Sequence, residues 1–335
     1  MQVQVQTQMQ TPMQNIKRRS AIALALAALA PMARAQPDWP NRPITLMLGF
    51  APGGPNDIVA RALSLRLSDL LKQQVIVDNR PGANGNIAAS TVARAAADGY
   101  TFLYNSSSLA LSPALYRKSL INPLHDLTPV NGTATLPLVC VVAASFPANN
   151  FREWAAQLRA NPDKFNYGSP GTGNLAHVAA AMVLKSNGLT AVHAPYKGSS
   201  EALQGLLSGA THFQFDSVNS PLALIKSGKL KALFVTSSER SPVLPEVPTL
   251  AQSGSPNVEA SGWQGVMAPA KTPPAIVQRM AAEIARVMNS PEMKASLAAQ
   301  GAYPISTTPE RYAAFFAEEM DRFKKTVDDL NIKLD

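Results

Sequence analysis

Two short glycine-rich runs constrain the fold of this 335-residue chain more than any other feature. Residues 50–57 read FAPGGPND, and residues 169–177 read SPGTGNLAH. Each run follows an apolar, strand-like segment, leads into an amphipathic, helix-like segment and lacks Lys and Arg. A strand-to-helix turn of this kind exposes unpaired backbone N–H groups at the positive end of a helix dipole, where an anion is favoured. Two such turns, far apart in the chain, predict two lobes that close on a small carboxylate.

The first 35 residues have the three parts of a secretory signal peptide. Lys17, Arg18 and Arg19 form a positive region, residues 21–30 are all Ala, Ile or Leu, and residues 33–35 (ARA) fit a small-x-small cleavage pattern. The apolar run is about half of the ~20 residues that a membrane span needs, so a cleaved signal is favoured over an anchor. We therefore expect export by the general secretory route and cleavage after Ala35, with either Met1 or Met13 as the start.

Composition argues against several classes of function. The chain has 30 Lys and Arg against 22 Asp and Glu, and four of the basic residues lie in the signal, so the mature net charge is +4. The remaining basic residues form no block, and nucleic acid is not an expected partner. Cys140 is the only cysteine, which excludes an intramolecular disulfide. Its apolar neighbours predict a buried small side chain rather than a nucleophile.

The mature chain alternates between strand and helix patterns. Strands are predicted at 44–50, 75–78, 100–104, 136–143, 165–168, 191–196, 212–216 and 230–236. Helices are predicted at 57–71, 87–97, 151–160, 175–187, 201–207 and 274–288, with a last one from 309 onward. Strand–helix–strand order predicts parallel strands joined by helical crossovers. The 300 residues after the signal fit two lobes better than one.

A series of motifs in a fixed order carries a family resemblance. The first are PGG at 52–54 with Asp57, DNRPGA at 78–83 with Gly85 and Asn86, ADGYT at 97–101 and YKG at 196–198. The later ones are KLKAL at 229–233, RSP at 240–242, LPEVPT at 244–249, APA at 268–270 and TPP at 272–274. With them the chain resembles the solute-binding proteins of tripartite tricarboxylate transporters, also called Bordetella uptake gene receptors, over nearly all of residues 38–335.

The resemblance implies an α/β fold like that of type II periplasmic binding proteins, with two lobes of mainly parallel sheet around a ligand cleft. Lobe 1 would comprise residues 36–138 and 264–335, and lobe 2 residues 139–263, with hinges near 138 and 263 and Trp263 packed beside them. Such a receptor is periplasmic and monomeric, is not an enzyme, and needs neither cofactor nor metal. It would deliver a small organic acid or related solute to inner-membrane transporter subunits.

The resemblance also implies a site that holds carboxylates with backbone amides, small hydroxyls and ordered water rather than Arg. Departures from the family pattern at residues 105–108 (NSSS) and at Pro170 leave the ligand open among dicarboxylates, tricarboxylates, aromatic acids, amino acids and amides. The implied contacts in the first lobe are Phe50, Ala51, Gly53, Gly54, Asn56, Asp57, Asn84, Ser106, Ser107 and Ser108. Those in the second lobe are Ser169, Thr172, Gly173, His177 and Asp216.

Several of these residues have a structural role as the alternative. Asp57 is favoured as the N-cap of the helix that follows it. His177 is favoured as an ordinary helix residue. Asp216 ends a strand, where α/β clefts place ligands, and either pairs with a ligand ammonium group or caps a loop. For Gly53, Gly54, Ser169 and Thr172, turn geometry or helix capping is the alternative to ligand contact.

Competing functions find less support in the sequence. Residues 171–176 (GTGNLA) match the G-x-G-x-x-A dinucleotide pattern between a strand and a helix, but the next strand ends in Tyr196 and Lys197, without the expected acid. A secreted α/β hydrolase would need a G-x-S-x-G elbow, which is missing, and the four histidines lie singly, without metal-ligand spacing. A periplasmic receptor that serves a signalling system remains open, since its binding site would be the same.

Overall fold

Parallel strand–helix–strand units begin the fold in this computed structural model, which describes residues 39–116, 121–162, 164–256 and 258–330. The predicted signal peptide and its cleavage site lie outside the described residues. The first elements are β1 (Ile44–Leu48), α1 (Pro55–Leu71), β2 (Val75–Asn79), α2 (Asn86–Ala93) and β3 (Thr101–Ser106). β1 lies between β2 and β3 and pairs in parallel with both. The predicted helical crossovers are therefore confirmed.

The remaining elements continue the alternation. Up to β8 they are α3 (Ser107–Leu115), α4 (Pro123–Asp126), β4 (Leu127–Ala143), α5 (Phe151–Ala160), β5 (Asn166–Ser169), α6 (Leu175–Ser186), β6 (Val192–Pro195), α7 (Ser199–Leu207), β7 (Phe213–Ser217), α8 (Leu222–Lys226) and β8 (Leu230–Val235). The chain then forms β9 (Ser261–Pro269), α9 (Pro274–Asn289), α10 (Pro291–Ala298), β10 (Tyr303–Pro304) and α11 (Pro309–Leu330), with single 3₁₀ turns at Ala83–Gly85 and Ala251–Ser253.

The long strand β4 belongs to two groups of strands. Its first half pairs antiparallel with β9, from Leu127 opposite Pro269 to Pro137 opposite Ser261. From Leu138 onward it pairs antiparallel with β7 and with β8. β9 in turn pairs with β3, and β7 pairs in parallel with β5, which pairs with β6. β4 thus joins the strands β1–β3 to the strands β5–β7.

Aromatic side chains fill the core on both sides of β4. Trp154 of α5 packs edge-on against Phe213 and Phe234, at ring-centroid distances of 5.1 and 5.8 Å. On the other side the apolar face of α11 is buried at Tyr312, Phe316, Phe323 and Val327. Cys140 of β4 is fully buried and burial raises the pKa of its thiol well above the ordinary value, as expected for a packing residue.

A stack of three rings lies behind the second glycine-rich turn. The rings of His177 (α6) and His193 (β6) are nearly parallel, 3.9 Å apart, and Tyr167 lies 5.0 Å from His193. The Gly173 N–H donates to His177 Nδ1 at 3.1 Å, and His193 Nε2 lies 2.6 Å from Ser169 Oγ. Burial lowers the pKa of His177 to about 4, and burial together with the neighbouring His177 lowers that of His193 to about 3. Both rings are therefore neutral at pH 7.

Gly265→Ala should destabilise the fold, because the added methyl group has no space. A Cβ there would lie 2.2 Å from the Tyr312 hydroxyl and 2.8 Å from the Asn131 carbonyl oxygen. Overpacking of this kind costs about 1–3 kcal/mol or more. Gly262→Ala in the same strand is the control, since its nearest atoms are 3.6 Å away. Urea denaturation should give a lower free energy of unfolding for Gly265→Ala only, and equal values would contradict the packing described.

Acid should destabilise the native state through His177. Its folded-state pKa lies below the ordinary 6.5, so the unfolded chain binds a proton more readily and stability falls as pH drops from 6.5 toward 4. At pH 5 this amounts to about 2 kcal/mol. His177→Asn keeps an acceptor for the Gly173 N–H and removes the titration, and exposed His125→Asn is the control. Unfolding free energies at pH 7, 6 and 5 should show a shallower loss for His177→Asn alone. A loss as steep as in the wild type would refute the assignment.

Candidate ligand-binding site

A partly open cavity lies at the carboxyl ends of β1, β3, β5 and β7. Its empty volume is about 530 Å³, part of which is open to solvent. Open α/β sheets place their ligands at this end of the strands. The wall consists of Phe50, Ala51, Gly54, Pro55, Asn56, Ser106, Ser107, Ser108, Leu136, Leu138, Pro170, Asn174, Leu175, Ala176, Ser199, Asp216, Ser217, Gly262, Trp263 and Gln264. Eight of the fifteen predicted contacts lie in this wall: Phe50, Ala51, Gly54, Asn56, Ser106, Ser107, Ser108 and Asp216.

The first turns of four helices form much of this wall. α1, α3, α6 and α7 begin after Gly54, Ser106, Asn174 and Gly198 respectively. In α1, α3 and α7 no side chain caps the first turn, whereas the Asn174 side chain accepts from Ala176 N in α6. Unpaired N–H groups and the positive ends of the helix dipoles therefore converge on the cavity, which favours an anion.

The first glycine-rich turn is held by Asp57. The predicted N-cap role of Asp57 is wrong: Gly54 is the N-cap, and Asp57 lies in the first turn of α1. Its Oδ2 accepts from Gly53 N at 2.9 Å and from Arg61 Nε at 2.8 Å, and its Oδ1 accepts from Asn79 Nδ2 at 3.0 Å. Burial acts to raise the pKa of Asp57, but hydrogen bonds from Arg61, Gly53 and Asn79 hold it below its ordinary value. Asp57 is thus an ionised support outside the cavity wall.

Gly53 and Gly54 differ in backbone conformation. Gly53 has a φ of +77°, which favours glycine, and its N–H is already used by Asp57. Gly54 has a φ of −83°, and a Cβ there would meet only ordinary contacts, of which the closest is Ala51 O at 3.7 Å. Gly53 shapes the turn, while Gly54 lies in the cavity wall.

The second glycine-rich turn places its predicted residues behind the wall. Ser169 is fully buried beside His193, Gly173 is bonded to His177, and Thr172 lies in a separate cavity at the outer edge of the turn. Pro170, Asn174, Leu175 and Ala176 line the main cavity instead. Asn174 was missed as a site residue, although an Asn directly before the apolar residues of a helix is a start signal.

Asn84 connects the two turns without lining the main cavity. It has a φ of +52°, next to Ala83 at +45°. Its Nδ2 donates to the Gly173 carbonyl at 2.8 Å. A non-glycine pair in this region is strained and persists only where its surroundings hold it. The bond to Gly173 is one of the contacts that hold it.

Three further side-chain hydrogen bonds join the same two parts of the chain. Asn174 Nδ2 donates to Ser108 Oγ at 3.1 Å. Ser200 Oγ donates to the Pro52 carbonyl at 3.1 Å, and Asn219 Nδ2 donates to the Pro55 carbonyl at 3.4 Å. Residues 50–108 and 170–219 are therefore in direct contact around the cavity.

Asp216 contributes a carboxylate to the cavity wall. It is 1 % exposed, at the end of β7. Its Oδ1 accepts from Ser199 Oγ at 2.9 Å and from Ser217 N at 2.8 Å, and its Oδ2 accepts from Gln214 Nε2 at 2.7 Å. Burial raises the pKa of Asp216 to about 7, against these hydrogen bonds. The cavity wall contains no Lys, Arg or His, so none of its residues can neutralise this carboxylate.

Sequence reasoning missed the part of the wall that β9 supplies. Gly262, Trp263 and Gln264 all line the cavity. Trp263 is opposite Thr135 of β4, and its Nε1 donates to Glu319 Oε2 at 2.7 Å. Gln264 Nε2 donates to Asn56 Oδ1 at 2.8 Å, which orients a predicted contact. No strand was predicted there, because the segment has too few β-branched residues and contains two glycines.

In the ranges that the structure describes, no three His, Cys, Asp or Glu side chains are arranged to hold a metal ion. None of the helices in those ranges combines the length and apolar character needed to cross a membrane.

Comparisons with known proteins show which family the chain resembles. The family model of the tripartite tricarboxylate transporter family receptor, TctC, matches residues 59–332. A UPF0065 protein in the tcbD-tcbE intergenic region of Pseudomonas sp. strain P51 is 38% identical over 317 residues, which cover 93% of this chain and 94% of the relative. Protein BugT of Bordetella pertussis is 36% identical over 315 residues, which cover 93% of this chain and 96% of BugT.

Solved structures give the same fold. The periplasmic binding protein BugD matches with a TM-score of 0.85 and 30% identity, covering 88% of this chain and all of BugD. Rpa4515 of R. palustris, solved with adipate, matches with a TM-score of 0.87 and 32% identity, covering 89% of this chain and all of Rpa4515. MatC of Rhodopseudomonas palustris, solved with bound malate, matches with a TM-score of 0.82 and 29% identity, covering 86% of this chain and all of MatC. The type II periplasmic-binding fold is thereby confirmed, and the chain belongs to the TctC family of periplasmic solute-binding receptors.

Proposed function

We propose that this protein captures a small carboxylate by closure of two lobes and delivers it to an inner-membrane transporter of the tripartite tricarboxylate type. The convergence of four helix N-termini on one cavity without basic side chains carries the proposal. Backbone N–H groups and helix dipoles bind a carboxylate without the desolvation of a buried Lys or Arg. The adipate and malate bound by two related structures support the same ligand class.

The proposed contacts divide between the two sides of the cavity. The first turns of α1 and α3 take one end of the ligand, and those of α6 and α7 take the other. The apolar side chains Leu136, Leu138, Leu175 and Trp263 contact its carbon skeleton. The other predicted residues hold the two turns in place, from behind the wall or from its outer edge. They are Gly53, Asp57, Asn84, Ser169, Thr172, Gly173 and His177.

Closure would occur between lobe 1, residues 36–138 and 264–335, and lobe 2, residues 139–263. The change of partner along β4 supports this division, since β4 leaves β9 after Pro137 and joins β7 at Leu138. A ligand that contacts both sides stabilises the closed form by the contacts that only closure makes. The hydrogen bonds from Asn84, Asn174, Ser200 and Asn219 close the same gap.

We further propose that the protein works as a monomer in the periplasm, with neither cofactor nor enzymatic activity. A sensor for a signalling system is the alternative, because it would need the same site. Uptake of the identified ligand by cells with and without this protein separates the two: lower uptake without it supports delivery. Unchanged uptake together with a lost transcriptional response would support sensing.

Cleavage after Ala35 should produce a mature protein that begins at Gln36. The small residues Ala33 and Ala35 fit the specificity of signal cleavage. Intact-mass and N-terminal measurement of the protein from a periplasmic extract checks this. A protein that stays in the membrane fraction with residues 1–35 attached would contradict it.

Carboxylates should raise the melting temperature of the mature protein. A ligand at 100 times its Kd stabilises the native state by about 2.7 kcal/mol, which means a rise of several degrees for a chain of this size. Thermal-shift assays would compare dicarboxylates, tricarboxylates, aromatic acids, amino acids and neutral amides, after unfolding and refolding to remove copurified ligand. A response to neutral amides alone, or to none of these compounds, would contradict the proposal.

Gly54→Leu should remove this response without unfolding the protein. Gly54 lies in the cavity wall with no positive φ, so a large side chain there fills the space of the ligand. Gly54→Ala is the matched control, since its Cβ meets nothing closer than 3.7 Å. We expect more than a hundredfold loss of affinity for Gly54→Leu and a much smaller loss for Gly54→Ala, measured by calorimetry. Wild-type affinity in Gly54→Leu would place the ligand elsewhere.

A further inference from the structure

The carboxylate of Asp216 conflicts with a cavity that attracts anions. It is the one titratable side chain in the cavity wall, and every donor that it receives is neutral. No charged side chain lines the cavity beside Asp216, and no neighbouring charge contributes to the shift of its pKa. A second carboxylate placed beside an ionised Asp216 would be repelled.

The hydrogen bonds of Asp216 come from neutral donors and leave its charge without a counterion. An ionised carboxylate has about four acceptor positions. Ser199 and Ser217 use two on Oδ1, and Gln214 uses one on Oδ2. The buried Ser220 hydroxyl, which has no other hydrogen-bond partner, also lowers the pKa of Asp216 and is a further neutral donor to it. A donor on the ligand, above all a cationic one, would supply the charge that these neutral donors lack and would remove the conflict of charge at this wall residue.

We infer, on the basis of the proposed function, that Asp216 accepts a hydrogen bond from the ligand and makes the protein selective for carboxylates that also carry a donor group. The helix N-termini bind the carboxylate, and Asp216 binds an ammonium group or, less tightly, a hydroxyl group. The preferred solutes are amino acids and hydroxy acids. Alkane dicarboxylates of the same length are disfavoured, since they bind only if Asp216 first takes up a proton.

Matched ligands of equal carbon length test this selectivity. The sets are succinate, malate and aspartate; glutarate, 2-hydroxyglutarate and glutamate; and adipate with 2-aminoadipate. Titration calorimetry of the mature protein at pH 8 should give the tightest binding for the ammonium member of the best-fitting set. We expect about tenfold or more over the plain diacid, as for a hydrogen bond between charged groups. Equal or tighter binding of the plain diacid overturns the inference.

Asp216→Asn removes the charge at nearly constant volume. Gln214 Oε1 has no hydrogen-bond partner, so its amide can rotate to accept from the new amide group. In this variant the ammonium member should bind no more than about threefold more tightly than the plain diacid. Asp328→Asn, an equal change of charge on the exposed part of α11, should leave the preference for the ammonium member intact. A preference that survives in folded Asp216→Asn overturns the inference.

The pH dependence of the wild-type protein gives a test that does not depend on a variant. Because the pKa of Asp216 is raised to about 7, its carboxylate is mostly ionised at pH 8 and mostly protonated at pH 6. The preference for the ammonium member should shrink over this range, while the affinity for the plain diacid rises. A preference that is constant between pH 8 and pH 6 overturns the inference, even if Asp216→Asn does not fold.

The outcomes separate this inference from the proposed function. Binding of plain diacids, or of another acid without a donor group, at full affinity leaves the receptor function standing and removes the role of Asp216. Failure of every acid in every set and in the thermal-shift screen contradicts the receptor function itself.

Discussion

The antiparallel pairing of β4 with β9, β7 and β8 is the constraint on which the site depends. In parallel strand–helix units, each helix begins where its strand ends, so β1–α1 and β3–α3 place their helix N-termini at one sheet edge. β5–α6 does the same in the other group of strands. Since β4 pairs directly with β7 and reaches β3 through β9, the two sets of helix ends face one cavity. Without β4, each set of helix N-termini would lie apart from the other and would have little affinity for an anion.

A cavity that binds charge through backbone groups requires neutral or compensated side chains around it. Arg61 and Asn79 compensate Asp57 outside the wall. Burial keeps His177 and His193 neutral behind the second turn, although each is a potential cation. A protonated His177 could no longer accept from the Gly173 N–H, so a neutral ring is also needed for the shape of the turn. The electrostatic character of the site thus comes from geometry rather than from formal charge.

Sequence reasoning succeeded where local pattern and tertiary structure agree. Nearly continuous apolar runs gave β1, β3 and the second half of β4, and helical spacing gave α1, α5 and α11. It failed where the pairing of strands overrides the local sequence pattern. The first half of β4 contains Pro129, beside a register shift, and polar residues that β9 nevertheless pairs. α3 begins in a run of serines and was not predicted as a helix, yet its N-terminus forms part of the cavity wall.

The predicted site residues are likewise right where the local sequence is sufficient and incomplete where the tertiary structure decides. A glycine-rich turn indicates which loop approaches a ligand, but not which residue of the loop faces it. That depends on where the helix begins: after Gly54 in the first turn, earlier than the predicted start at residue 57, and after Asn174, as predicted, in the second. The wall therefore contains Asn174, Leu175 and Ala176, while Ser169 and Gly173 are spent on internal hydrogen bonds. Asp216 was identified from its place at a strand end, and only the structure shows that its carboxylate lacks a cation. The selectivity that we propose for this site rests on Asp216 because it is the side chain of the wall that departs from binding through backbone groups.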